Sequence, residues 1–157
     1  MHLVVVTTIS MIFNPAMEYH LGDSIGFALH RTYMRMKAVS VRMLRPHGLT
    51  PEQFGVMAIL WDNPGLSQRE IASILVKDAP NVTRIIDRLE SKGLVERHED
   101  VNDRRAYRMY PSSRGRLLRK TLGPAALDLR TSMFSSLSPK EQASMRQLLD
   151  KLFESLE

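Results

Sequence analysis

Residues 67–97, "SQREIASILVKDAPNVTRIIDRLESKGLVER", decide the fold. The stretch opens on a capping box: the Ser67 hydroxyl is placed to accept from the backbone N–H of Glu70, and the Glu70 carboxylate to accept from that of Ser67. Leu66 and Ile71 flank the box as a hydrophobic staple. Ile71, Ile74 and Leu75 make a short apolar stripe, enough for a short helix. After Val76 and Lys77 a second helix starts. Asp78 stands at its cap, and Pro80 is tolerated because first-turn amides have no intrahelical acceptor. Val82, Ile85, Ile86 and Leu89 recur at helical spacing, and Gly93 is placed for a left-handed C-cap. The local expectation is therefore two short helices joined by a tight turn.

A hairpin comes directly after them. "LVERHE" and "RAYRMY" read as two strands around the loop of Asp100, Asp103, Arg104 and Arg105. A helix-turn-helix with such a hairpin is a winged helix-turn-helix. With its apolar residues inward, the second helix turns Pro80, Asn81, Arg84, Asp87, Arg88 and Ser91 outward, with Thr83 on the flank. An amide, a hydroxyl and arginine are the groups that reach base edges and phosphates in a major groove. The bland reading is a solvated face with an Arg84–Asp87 pair at i, i+3. The hairpin tip decides between them, because a wing beside a recognition helix projects toward the minor groove, where narrow A·T tracts attract arginine. Asp103 is assigned the orienting role, Arg105 the insertion, and Arg104 the sugar-phosphate backbone. In isolation the same loop reads as a surface salt bridge worth little.

The flanks are helical. Ile25, Leu29, Tyr33, Met36 and Met43 give one apolar face to a long helix over 21–45, stopped by "RPHG". "LTPEQF" starts the next, with Thr50 as N-cap, Pro51 at N1, Gln53 closing the box and Leu49 with Phe54 as staple. That helix buries Val56, Met57, Ile59, Leu60 and Trp61. Beyond the hairpin, Ser112 or Ser113 caps a second long helix, in which Gly123 and Pro124 predict a kink. Ser138, Pro139 and Glu141 form a third box before a terminal helix lined by Met145, Leu148, Leu149, Leu152 and Leu156.

The bulk properties exclude several classes. The chain has 157 residues, no cysteine, and 22 Lys and Arg against 17 Asp and Glu, a formal charge of +5 that favours polyanionic partners. Without cysteine there is no disulfide framework, thiolate nucleophile or cysteine zinc site. The five histidines show no metal-ligand spacing. No glycine-rich phosphate loop and no Ser, His and acid set is present, so no enzyme, cofactor or metal is expected. The apolar run from Leu3 to Phe13 is far shorter than the ~20 residues of a spanning helix and lacks the marks of a signal peptide. It reads as an extra arm packed on the body, or as an extension ahead of a native start at Met17. A cytoplasmic protein is expected.

The stretch from Leu49 to Gly115 resembles the MarR family of transcriptional regulators, on "LTPEQFGVMAIL", "SQREIASIL", "VTRIIDRLESKGLVER" and "DRRA". With the long flanking helices the resemblance covers about 20–157. It implies a mainly α fold with a small β-hairpin: an arm over 1–19, a helical dimerisation region over 20–48 and 112–157, and a winged helix-turn-helix DNA-binding lobe over 49–111. It implies a homodimer on a palindromic operator, interlocked through the first, fifth and sixth helices. Recognition positions map onto Pro80, Asn81, Thr83, Arg84 and Arg88, and wing positions onto Asp103, Arg104 and Arg105. Arg97 supports the wing or meets phosphate, and Ser67 and Gln68 donate to the backbone. The family's usual "LT..G" is replaced by "PSSRG", which puts the start of the fifth helix in doubt because Pro111 lacks a strand donor.

The function expected is a sequence-specific double-stranded DNA-binding regulator, in the first instance a repressor. Family members commonly release DNA when a small, often aromatic or phenolic anion enters the cleft between the dimer helices and the DNA-binding lobe. His30, Tyr33, Met34, His47 and Trp61 are the candidates here, each with a reading as ordinary packing. The ten methionines suggest an adaptable interior without naming a ligand. Two alternatives stay open: an effector-independent DNA-bridging or chromatin-type protein, and a winged-helix protein-interaction module.

Overall fold

The computed structural model describes residues 20–101, 103 and 106–156. The expected arm over 1–19 lies outside the described residues. The chain divides after Lys37 into two compact units, the boundary falling within the first long helix. That helix, α1 (Ile25–Leu44), comes after a 3-10 turn at Leu21–Asp23 and ends in another at Arg45–His47, where Gly48 takes a left-handed conformation.

The second unit is built on the predicted sequence of elements. Helix α2 (Pro51–Asp62) starts on the expected box, Thr50 accepting from Gln53 and Gln53 from Thr50, both at 3.2 Å. A two-residue strand β1 (Leu66–Ser67) leads into α3 (Gln68–Leu75), and α4 (Ala79–Ser91) lies beyond the turn. Strands β2 (Val95–Glu99) and β3 (Tyr107–Pro111) form the hairpin, and the long α5 (Ser113–Met133) and α6 (Pro139–Glu154) complete the chain. The sheet has three antiparallel strands in the order β1-β3-β2. The sequence presents Leu66 and Ser67 only as part of a helix cap. They also pair with Met109 and Arg108 of β3, a contact too short for any period to announce.

The core follows the apolar spacing with exceptions: Ile74, on the expected α3 stripe, is 54% exposed, and Ile59, Trp61 and Ile85 are only partly buried. Val56, Met57 and Leu60 of α2, Ile71 of α3, and Val82, Ile86 and Leu89 of α4 are fully buried, with Val95 and Met109 of the hairpin beside them. Complete burial of each such side chain contributes about 1.5–3 kcal/mol. Trp61 is fixed from both sides: its indole N–H donates to the Gly115 carbonyl at 2.9 Å, and its ring meets Phe54 edge-on at 5.9 Å.

The expectation about the start of α5 is resolved by its neighbours. Its start is well defined, because Ser112 is buried, accepts from the Gly115 N–H at 3.0 Å and donates to the Gly93 carbonyl at 2.6 Å. Pro111 sits at the end of β3 opposite Val95, where the missing donor breaks no internal pairing. The helix continues past Pro124 instead of ending there, a continuity that a kinked helix shares. Gly123 in front of it carries no Cβ to clash with the proline ring, which eases the helical conformation there.

Candidate nucleic-acid interface

Helix α4 is one-sided. Val82, Ile86 and Leu89 are buried and Ile85 is partly so, while Pro80, Asn81, Arg84, Asp87, Arg88 and Ser91 are exposed and Thr83 is half-buried. Its first turn is held by a chain of hydrogen bonds. Asp78 accepts from the Asn81 N–H at 2.8 Å and from the Asn81 side-chain amide at 2.6 Å. The Asn81 side-chain oxygen Oδ1 accepts from Arg84 at 2.6 Å. The two bonds from Asn81, the backbone N–H first, hold the Asp78 carboxyl below the usual carboxylate range. Arg84 is thus paired with Asn81 rather than with Asp87, and its guanidinium lies along the exposed face near the N-terminus of α4, where base edges are met in this class of fold.

Thr83 turns its hydroxyl to the Ala79 carbonyl at 2.9 Å and stands 3.4 Å from the Gln68 side chain, so the flank of α4 touches the start of α3. Ser67 and Glu70 make the expected box, with the Ser67 N–H on Glu70 at 2.7 Å and the return bond at 3.3 Å. Arg97 of β2 reaches Asp87 and Glu90 of α4 together, tying the hairpin to the recognition helix. Asp87 therefore serves the hairpin.

At the hairpin neck the Asp100 N–H donates to the Ala106 carbonyl at 3.0 Å, and the Ala106 N–H to the Asp103 carbonyl at 2.9 Å. Asp103 is exposed at the tip. Arg104 and Arg105, the residues assigned to the minor groove, lie outside the described residues. Arg108 was missed by sequence reasoning: it sits on the central strand and bonds Asp100 and Glu70. No local spacing signals it, because its partners are distant in sequence.

The proposed effector residues fall in different places. His30, Tyr33 and Met34 are exposed on α1 in the first unit, whereas His47 and Trp61 belong to the second. His47 borders a recess of about 480 Å³ together with Lys92, Leu94, Arg114, Leu117 and Leu118. Among the described residues, no group of three or more His, Asp or Glu is arranged to hold a metal, and no helix is long and apolar enough to cross a membrane.

An exposed polar recognition helix, held by a preceding short helix and flanked by a hairpin, defines a winged helix-turn-helix DNA-binding protein. The MarR family model matches residues 49–107. The chain is 30% identical over 121 residues to the uncharacterized HTH-type transcriptional regulator YkoM of Bacillus subtilis, covering 77% of this chain and 79% of that protein. It superposes with a TM-score of 0.80 and 29% identity on the structure of BpsR from Bordetella bronchiseptica, described for regulation of its DNA binding by 6-hydroxynicotinic acid, across 87% of this chain and 97% of that one. A mutant MarR from E. coli in complex with operator DNA superposes with a TM-score of 0.77 and 26% identity, over 82% of this chain and 92% of that one. The chain belongs to the MarR family. It is a transcriptional regulator and not an enzyme.

Proposed function

We propose that the protein is a cytoplasmic, sequence-specific repressor that binds a palindromic operator as a homodimer and is released by a small aromatic anion. The observation that carries this reading is the outward face of α4, where Asp78, Asn81 and Arg84 form one hydrogen-bonded row at the helix start. Pro80, Asn81, Thr83, Arg84 and Arg88 read the major groove, and Asp103, Arg104 and Arg105 serve the minor groove. Ser67 and Gln68 meet the phosphate backbone, and Arg97 holds the hairpin against α4.

Dimerisation is supported by α6, which has no buried residue although it carries an apolar stripe: Leu148 is 65% exposed and Phe153 51%, and Leu156 just beyond the helix is 77% exposed. An apolar stripe of that kind in a regulator seeks a second copy. Effector binding is supported by the recess beside His47, whose Lys92 and Arg114 suit a carboxylate and whose leucines suit a ring. BpsR, with its 6-hydroxynicotinic acid, supplies the precedent for that chemistry. Lys92 also donates to Gln53 at 2.9 Å inside the α2 capping box, so a ligand drawing on Lys92 acts on the start of α2.

Selection of genomic fragments with the purified protein at near-physiological salt tests the reading. The expected result is a short palindrome enriched over random DNA, with half-sites ~34 Å apart, and dissociation from it by an aromatic carboxylate. Broad coating without a motif would instead establish a bridging protein. Salt dependence is steep in both cases and does not separate them, whereas the ratio of specific to random affinity does.

A further inference from the structure

The neck of the hairpin and the start of α3 are separated by an open recess of about 550 Å³, between Ser67, Gln68 and Arg69 on one side and Asp100, Ala106 and Tyr107 on the other. Arg108 spans it. On β3 it stands opposite Ser67 of β1 and His98 of β2, so its backbone occupies the centre of the sheet. Its Nε donates to Asp100, and one terminal nitrogen donates to Glu70 at 3.0 Å and lies 3.4 Å from the Gly65 carbonyl. The Asp100 side chain is only 7% exposed. A carboxylate so withdrawn from water needs a cationic partner, and the planar guanidinium supplies one while leaving donors for a second acid. The Glu70 oxygen that receives Arg108 is the one that accepts from the Ser67 N–H.

We propose that Arg108 is a positioning residue for DNA binding: by holding Asp100 and Glu70 together, it sets the angle of the wing against the helix-turn-helix pair. This role rests on the reading that the wing tip enters the minor groove. Arg108 touches no base in this scheme. It acts through two carboxylates, and this makes the sign of its test unusual. Removal of a negative charge from a DNA-binding surface strengthens binding to every sequence if charge alone matters. Asp100→Asn instead weakens binding to A·T-flanked sites if the carboxylate serves to hold the wing.

The experiment uses duplexes bearing the selected operator with either A·T or G·C flanks, and measures both affinities across salt. Asp100→Asn and Arg108→Gln are expected to lower the flank preference by about fivefold to tenfold, with discrimination at the central bases retained. Glu70→Gln, which keeps the capping box but loses the charge, is expected to give a smaller loss in the same direction. Tighter binding of Asp100→Asn to all duplexes would overturn the proposal. So would a uniform loss in Arg108→Gln with a salt slope lower by about one, the mark of a direct phosphate contact. Arg105→Ala separates the positioning role from the wing reading. If Arg105→Ala leaves the flank preference intact, the wing reading fails and the proposal with it; if Arg105→Ala abolishes it while the Asp100 and Arg108 variants retain it, only the positioning role fails. Melting curves identify any variant that does not fold, and Asp100→Asn and Glu70→Gln keep the test open if Arg108→Gln is such a variant.

Discussion

At the scale of single residues, the interface is a set of side chains whose partners decide their use. Arg84 is held by Asn81, which is held by Asp78, so the guanidinium is partly ordered before DNA arrives. Arg84→Ala is expected to cost about 1–3 kcal/mol of discrimination at the base pair it reads, checked by comparing affinities for operator variants at that position. Equal losses on all sequences would reassign Arg84 to phosphate. A second residue stands out for strain. Val76, in the turn between α3 and α4, has φ 51° and ψ 50°, a left-handed conformation unsuited to a β-branched side chain. That conformation costs about 1–2 kcal/mol in a non-glycine residue, against about 0.5–1 kcal/mol of extra chain entropy lost by glycine. Val76→Gly is therefore expected to raise stability by up to about 1 kcal/mol in urea denaturation, and a lower midpoint would show the turn to be unstrained. Asn81 and Arg84 were legible in the sequence because helical spacing alone turns them outward. Arg108 was not, since its acids lie 8 and 38 positions away.

At the scale of elements, caps and close approaches set the boundaries. All three capping boxes read from the sequence, at Thr50, Ser67 and Ser138, are formed. The largest cause of a lowered carboxyl pKa is the hydrogen bond from the Ser67 backbone for Glu70 and that from the Ser138 side chain for Glu141, as it is the Asn81 N–H for Asp78. With lowered values in the folded state, the unfolded chain takes up protons first as the solution is acidified. The stability these groups contribute is complete above the ordinary carboxylate pKa of about 4 and is lost as pH falls through and below it. Melting temperature should accordingly fall between neutral pH and about pH 3, and Glu141→Gln should flatten that dependence while keeping its helix cap. A melting temperature that rises on acidification would contradict this. The crossing of α5 over the strand start depends on a missing side chain. A Cβ on Gly115 would lie 2.2 Å from the Leu94 carbonyl oxygen, which is backbone and has no room to yield. Gly115→Ala is expected to destabilise by about 1–3 kcal/mol in denaturant, and a neutral result would mean that α5 shifts freely. The sequence signalled that glycine only as a letter in a motif, because Leu94, the residue it meets, belongs to a distant part of the chain.

At the scale of the whole molecule, the apolar stripe of α6 is left uncovered by a lone chain. Leu148, Leu149, Leu152 and Phe153, with Leu156 just beyond the helix, are all at least 40% exposed. Truncation before Ser138 is expected to leave monomers or aggregate in light scattering, and operator affinity should fall with loss of the second half-site. A soluble, intact dimer after truncation would place the dimer contact elsewhere.

The order of the helices and the hairpin, the capped helix starts, most core positions and the polar face of α4 were determined by the sequence itself. Each depends on interactions within a few residues: a hydroxyl and an acid three apart, apolar side chains three and four apart, a glycine one step past a helix. Tertiary structure alone decided the third strand, the Arg97 link to α4, the Arg108 bridge and the need for Gly115. In all of these the partners are distant in the chain and brought together only when the hairpin folds onto the helices. Local patterns carry no information about such pairs, because the free energy that selects them arises from packing and charge pairing across elements rather than along one.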